Sequence, residues 1–269
     1  MALTVIEHAL VPKDGDHGAN EDALVVTDDF AFVVDGATSK TTRTYRGATG
    51  GRLVASAITE AVPSLPAAAT LREVVDRLTE AVAETLAPEA LPAERPSAVF
   101  AAYSRARHEI WRVGDCSWRA GTRVLLGSKK LDQVAAAARA TLLRAHRLAG
   151  RSLDELCRSD PGRQMILPLL REQHRFANLA TDEPLAYGVI DGRPVPDRFL
   201  ESFPFEGDEV ILATDGYPTL LPTLAETELA LRDELERDPL RIERHASTKA
   251  VVPGAGSFDD RTYLRVAVR

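Results

Sequence analysis

Three apolar runs in this 269-residue sequence meet acids at their ends. The run "FAFVVDG" closes on Asp35 and Gly36, "EVILATDG" closes on Asp215 and Gly216, and "FDDRTYLRVAV" sets Asp259 and Asp260 just ahead of an alternating apolar stretch. One Asp-Gly pair after a strand is ordinarily a turn, since Asp bonds its own backbone and Gly accepts positive φ at no steric cost. Three such strand ends ask for a common cause. If Asp35, Asp215 and Asp259 converge with carboxylates about 5 Å apart, each pair repels by roughly 3 kcal/mol at an effective dielectric of about 20. The sum, about 10 kcal/mol, rivals the ~5–15 kcal/mol stability of a whole domain, so protons or cations must relieve it. Neither a cysteine cluster nor an HExxH pattern is present to hold zinc, and an all-oxygen donor set suits Mg2+ or Mn2+. A carbonyl beside a residue with no side chain approaches a metal closely, which makes Gly36 a candidate backbone ligand.

The elements that must position these acids follow from periodicity and punctuation. "ALVVT" and "FAFVV" flank Asp28 and Asp29 as a hairpin, and "SAVFAAYS" with "HEIWRVGD" forms a second one ending at Asp115. "SWRAGTRVLL", "PLAYGVI", "DEVILAT" and the stretch from Tyr263 to Val268 have strand character. The spacing of Tyr45, Leu53, Ala57 and Ile58 predicts a helix from about Thr42 to Val62. Capping boxes at Thr70/Glu73, Ser152/Glu155 and Thr223/Glu226 open three more, with Pro88 and Pro92 closing the first and Pro239 the last. A helical block fills residues 128–176. Strands interrupted by helices argue for an α+β domain in which helices cover antiparallel sheets. "GATGG" falls inside a helical pattern, so a dinucleotide-binding turn is not expected.

Length and 45% hydrophobic content fit one domain, residues 1–269, with a real core. The formal net charge of −7 argues against nucleic acid or an anionic membrane as partner. No apolar run reaches the ~18 residues of a membrane span and no targeting signal is evident. Cys116 and Cys157 have no metal-type spacing and suit the reducing cytoplasm. Only five of 33 basic residues are lysine (Lys13, Lys40, Lys129, Lys130, Lys249), which reads as genome composition.

In order along the chain stand "NED" (Asn20–Asp22), "VVDGA" at Asp35, "RVGDCSWR" at Asp115, "GDEVILATDG" at Asp215 and "DDRT" at Asp259. With these residues the chain resembles the metal-dependent serine/threonine phosphatases of the PPM (type 2C) class. The resemblance implies a four-layer α-β-β-α sandwich, with two central antiparallel sheets flanked by helix pairs, and a centre of two Mg2+ or Mn2+ ions. It implies that Asp35 bridges both ions, that Asp215 and Asp259 hold one, and that the Gly36 carbonyl and Glu21, through water, serve the other. Asp22 joins this metal set through the "NED" motif, and Asp115 matches a position linked to a looser third ion. The 128–176 block falls where the family carries a variable flap. The implied activity is hydrolysis of phosphoserine or phosphothreonine on proteins, with a phosphorylated small molecule or a silent regulatory domain as alternatives.

Departures from that pattern bear on specificity. His17 stands where many relatives carry a phosphate-gripping arginine; it is either a catalytic phosphate contact or an exposed loop residue, and it lacks an arginine's fork. Ala37 replaces a histidine proposed as general acid, so the leaving-group proton needs another source. Cys116 and Ser39 are expected as bystanders, because no covalent intermediate is implied. Asp260 replaces an asparagine, either strengthening cation binding or occupying an exposed turn. Lys129, Lys130, Arg139, Arg144, His146 and Arg147 form either a basic lip over the site or a solvated helix face. Asp191-Gly192 is taken as a plain turn, and Trp111 and Trp118 as packing residues.

Overall fold

The computed structural model describes residues 2–38, 43–89, 91 and 93–268. Its strands are Thr4–Val11 (β1), Ala23–Val26 (β2), Phe30–Gly36 (β3), Ala98–Ser104 (β4), Glu109–Val113 (β5), Ser117–Ala120 (β6), Arg123–Leu125 (β7), Glu201–Pro204 (β8), Glu209–Ala213 (β9) and Arg261–Ala267 (β10). They form two antiparallel five-stranded sheets, one in the order β2-β3-β4-β5-β8 and the other β1-β10-β9-β6-β7. The helices are Gly50–Ala61 (α1), Leu71–Leu86 (α2), Lys130–Leu148 (α3), Leu153–Arg158 (α4), Pro161–Glu172 (α5) and Leu224–Arg237 (α6). Among the described residues no helix is long and apolar enough to cross a membrane.

The two-residue period of the strands sorts their side chains into layers. In β3, Phe30, Phe32 and Val34 pack outward against Val54 and Ile58 of α1 and Val74, Leu78 and Val82 of α2. Ala31 and Val33 face inward, where they meet Val210 and Leu212 of β9 and Leu264 and Val266 of β10. The far side of the second sheet buries Ile211, Ala213 and Tyr263 against Leu231 of α6. The α+β sandwich expected from the sequence is therefore present, with its main seam between the sheets.

All three capping boxes form, at α2, α4 and α6. The α1 helix starts at Gly50, later than expected, after a Thr49 cap whose hydroxyl accepts from the Arg52 amide at 3.3 Å, while Tyr45 pairs with Ala48 in a tight bridge. Thr41, Thr42, Ser39 and Pro92 lie outside the described residues. "PLAYGVI" is not a strand: Tyr187 and Ile190 each make one isolated bridge, to Ala177 and Ala98. "SWRAGTRVLL" folds as the β6–β7 hairpin in the second sheet, turning at Gly121. The 128–176 block is helical as expected, and Asp191-Gly192 is a bend in which Asp191 is buried and paired with Arg193.

Candidate active site

Asp35 continues the inward face of β3 two residues past Val33, which aims it at the seam between the sheets. Asp215 follows β9 by two residues on the opposite sheet, and Asp259 precedes β10, the strand paired with β9. Folding brings Asp35 and Asp215 within hydrogen-bonding reach of each other. The turn closes tightly because Gly216 has no side chain: a Cβ there would lie 2.1 Å from the Asp260 carbonyl oxygen. Asp35, Asp115, Asp215 and Asp259 line a cavity of about 840 Å³.

Burial holds the Asp35 carboxyl well above the usual carboxylate range, with repulsion from Asp215, Asp22, Asp259 and Asp115 adding to it. Burial also pushes Asp215 up to about 7, helped by Asp259 and Asp115 and opposed by Lys249. Asp215 is exposed at the cavity mouth, so solvent screening trims that rise. Asp259 behaves oppositely: burial raises it, but Lys249 and Lys13 outweigh burial and hold it low. Lys249 Nζ sits 2.6 Å from Asp259 Oδ2, while Oδ1 accepts the Asp260 amide at 3.0 Å with Lys13 Nζ 3.8 Å away. Lys13 Nζ also lies 3.0 Å from Asp260 Oδ2 and 3.7 Å from Glu21 Oε2.

Behind these residues a second acidic group is held by protein alone. Asp22 Oδ2 accepts the Thr214 hydroxyl at 2.7 Å and the Thr262 hydroxyl at 2.8 Å. Asp260 accepts the Lys13 and Glu21 amides at 2.9 and 3.1 Å, so it is a buried fastener and not an exposed turn. Glu21 Oε1 is buried without a hydrogen-bond partner. Gly36 abuts Gly51 at the start of α1, where a Cβ on Gly51 would lie 2.7 Å from the Gly36 carbonyl carbon. That contact explains Gly51, whereas a Cβ on Gly50 would lie 3.0 Å from Pro96 and Gly47 takes a φ of +83°.

No protein-family model and no curated protein sequence matches the chain. Solved structures do. The serine/threonine phosphatase PstP/Ppp of Mycobacterium tuberculosis is similar over 100% of both chains, with a TM-score of 0.50 at 16% identity. The serine/threonine phosphatase Stp1 from Staphylococcus aureus is similar over 100% of this chain and 98% of its own, with a TM-score of 0.51 at 13% identity. The chain has the PPM phosphatase fold.

Within the PPM fold the residues singled out from sequence divide into two groups. Asp35, Asp115, Asp215 and Asp259 line the cavity, whereas Glu21, Asp22 and Gly36 do not. His17 is exposed on the loop after β1 and does not line the cavity; its carbonyl, like that of Gly18, accepts Arg52 Nη1 at 2.7 Å. Cys116 is fully buried, and burial together with the nearby carboxylates pushes its thiol up, as suits a bystander.

Among the described residues no three His, Cys, Asp or Glu side chains converge in metal-holding geometry. The reason is visible in the partners: Asp259 is turned to its lysines and Asp22 to its threonines. Asp35 and Asp215 nonetheless fit one hard cation, because two mutually repelling carboxylates, completed by water and a substrate phosphate, are a common way to hold Mg2+.

The basic residues read as either a lip or a solvated face divide between those roles and a third, and His245 carries no signature in the sequence. Lys129 pairs with Asp132 at 2.9 Å, stands over the Tyr187 ring and lines the cavity near Asp115. Of the other basic residues in the helical block, Lys130 lines the cavity, while Arg139 is fully buried and anchors the chain between α6 and β10 through Leu240 O at 2.9 Å and Ser247 O at 2.9 Å. Arg144 reinforces that anchor through Ile242 O at 2.5 Å, and neither Arg144, His146 nor Arg147 lines the cavity. His245, on the anchored segment, also lines the cavity, and its Nδ1 lies 2.7 Å from Glu234 Oε2.

Proposed function

We propose that this protein is a divalent-cation-dependent phosphomonoester hydrolase acting on phosphoserine and phosphothreonine residues of proteins. The observation that supports it is the meeting of Asp35 and Asp215, from the ends of strands in different sheets, at a cavity whose rim carries Lys129, Lys130 and Lys249. Phosphate-monoester hydrolysis is among the slowest uncatalysed reactions, so an enzyme needs strong charge compensation at the phosphoryl group.

A Mg2+ or Mn2+ ion at Asp35 and Asp215 would supply positive charge to the phosphoryl oxygens and a water of lowered pKa. The chain's own residues do the rest. Asp35 and Asp215, whose carboxyls burial and mutual repulsion raise, lose their protons when the cation binds and present anionic oxygens to it. The rim cations Lys130 and Lys249 draw a dianionic phosphate into the cavity. His245, held through Nδ1 by Glu234, keeps Nε2 for the leaving-group oxygen and stands in for the general acid that Ala37 lacks.

A volume of about 840 Å³ lies within the range of small-ligand sites, which favours phosphorylated small molecules as a second substrate class. The primary test is release of phosphate from p-nitrophenyl phosphate with Mn2+ or Mg2+, comparing wild type with Asp35→Asn and Asp215→Asn. Turnover that survives chelator, or no turnover with either ion, sinks the proposal. Phosphopeptides assayed beside phosphorylated metabolites then assign the substrate class.

A further inference from the structure

The two acids that would share a second ion differ in one respect. Asp215 faces other carboxylates, whereas both oxygens of Asp259 are already committed. Oδ2 is 2.6 Å from Lys249 Nζ, and Oδ1 accepts the Asp260 amide at 3.0 Å beside Lys13 Nζ at 3.8 Å. A divalent ion at Asp259 would have to displace one ammonium while facing the other.

Both lysines are built into the fold. Lys13 is fixed at both ends by Asp260, which accepts its amide at 2.9 Å and its ammonium at 3.0 Å. Lys249 follows a segment tied down by buried Arg139 on Ser247 O and by Arg163, which donates to Thr248 O at 3.1 Å. These anchors hold the Lys249 backbone against the helical block and direct its side chain to Asp259. Among the four described lysines of an arginine-rich chain, two are spent on this one carboxylate.

We infer that Lys249, supported by Lys13, permanently occupies the Asp259 side of the metal centre, so that the centre takes one divalent cation, on Asp35 and Asp215, instead of two. The inference rests on the hydrolase reading above. A fixed ammonium supplies positive charge for the substrate phosphate and a donor for one of its oxygens, but it neither ionises water nor bridges two oxygens as a metal does. The site then works as a mixed centre, with one exchangeable cation and one that cannot be chelated.

The test counts ions. Chelator-stripped wild type is titrated with Mn2+ by calorimetry and examined by electron paramagnetic resonance. We expect one Mn2+ per chain with the six-line signal of an isolated ion. Lys249→Met, checked for folding by circular dichroism, should gain a second Mn2+ and the exchange-coupled spectrum of a pair, while Lys249→Arg should stay at one. Two coupled ions in the wild type overturn the inference and leave the hydrolase reading standing. No bound ion overturns both. One ion in wild type and still one in folded Lys249→Met removes the role of the lysine. If Lys249→Met does not fold, the wild-type count together with Lys249→Arg decides.

Discussion

The Asp22 carboxylate accepts the Thr214 hydroxyl at 2.7 Å, linking the residue before β2 in one sheet to the residue after β9 in the other. Thr262 adds a second hydroxyl to the same oxygen at 2.8 Å and donates its own amide to Thr214 Oγ1 at 2.8 Å. Three side chains thus close the end of the sandwich at which the acids gather. Thr214→Val keeps the shape but removes one donor to a buried carboxylate and one acceptor for the Thr262 amide. It should cost about 1–3 kcal/mol, read as a lower urea midpoint at unchanged slope. An unchanged midpoint would mean that the Asp22 junction bears no load.

The raised carboxyls of Asp35 and Asp215 set the sign of a pH effect in chelator-treated protein. Their folded pKa values lie above the unfolded ones, so the folded state binds more protons between about 4 and about 7 and stability falls as pH rises through that window. The slope stays below the one-proton limit of about 1.4 kcal/mol per pH unit for each group, because Asp215 is partly screened. Asp215→Asn should flatten the melting-temperature profile between pH 5 and pH 7.5 relative to wild type. A wild-type profile that climbs through this range contradicts the raised carboxyls.

Arg139 is the fastener of the segment that carries Lys249 and His245. Its guanidinium donates to Leu240 O, Arg241 O, Ser247 O and Asp160 Oδ2, and its side chain is fully buried. Arg139→Lys retains the charge but not the fork, leaving several carbonyls unpaired, and should lose about 3–5 kcal/mol. Hydrogen exchange at residues 240–249 should rise more than at β3 or β9. Uniform exchange across the chain would remove Arg139 as the specific anchor.

How much of this was legible in the sequence depends on whether a residue's role is local. Asp35, Asp115, Asp215 and Asp259 announce themselves because each sits beside a strand whose periodicity fixes where it points, and the three capping boxes are local by nature. Lys13 and Lys249 carry no such mark. They flank Asp259 only after folding, from positions 246 and 10 residues away, and a scarcity of lysine reads as composition until three of the four described lysines are seen among the acids. Arg139 looks like any solvated residue of an alanine-rich helix. Strand β1 leaves no sequence signal because it is an exposed edge strand with no buried alternation, and "PLAYGVI" reads as a strand because it is apolar, although it packs without a continuous partner.

His245 offers a decisive comparison between leaving groups. The p-nitrophenolate ion departs without a proton, whereas a serine alkoxide needs one in the transition state. If the Glu234-held imidazole delivers that proton, His245→Gln should lower kcat on a phosphoserine peptide by about 10²-fold and leave p-nitrophenyl phosphate within a few-fold of wild type. Glu234→Gln, which keeps a hydrogen-bonding group at Nδ1, should retain more of the peptide activity than His245→Gln. Equal losses on both substrates would instead make His245 a structural member of the anchored segment, because a misplaced cavity wall harms both leaving groups alike.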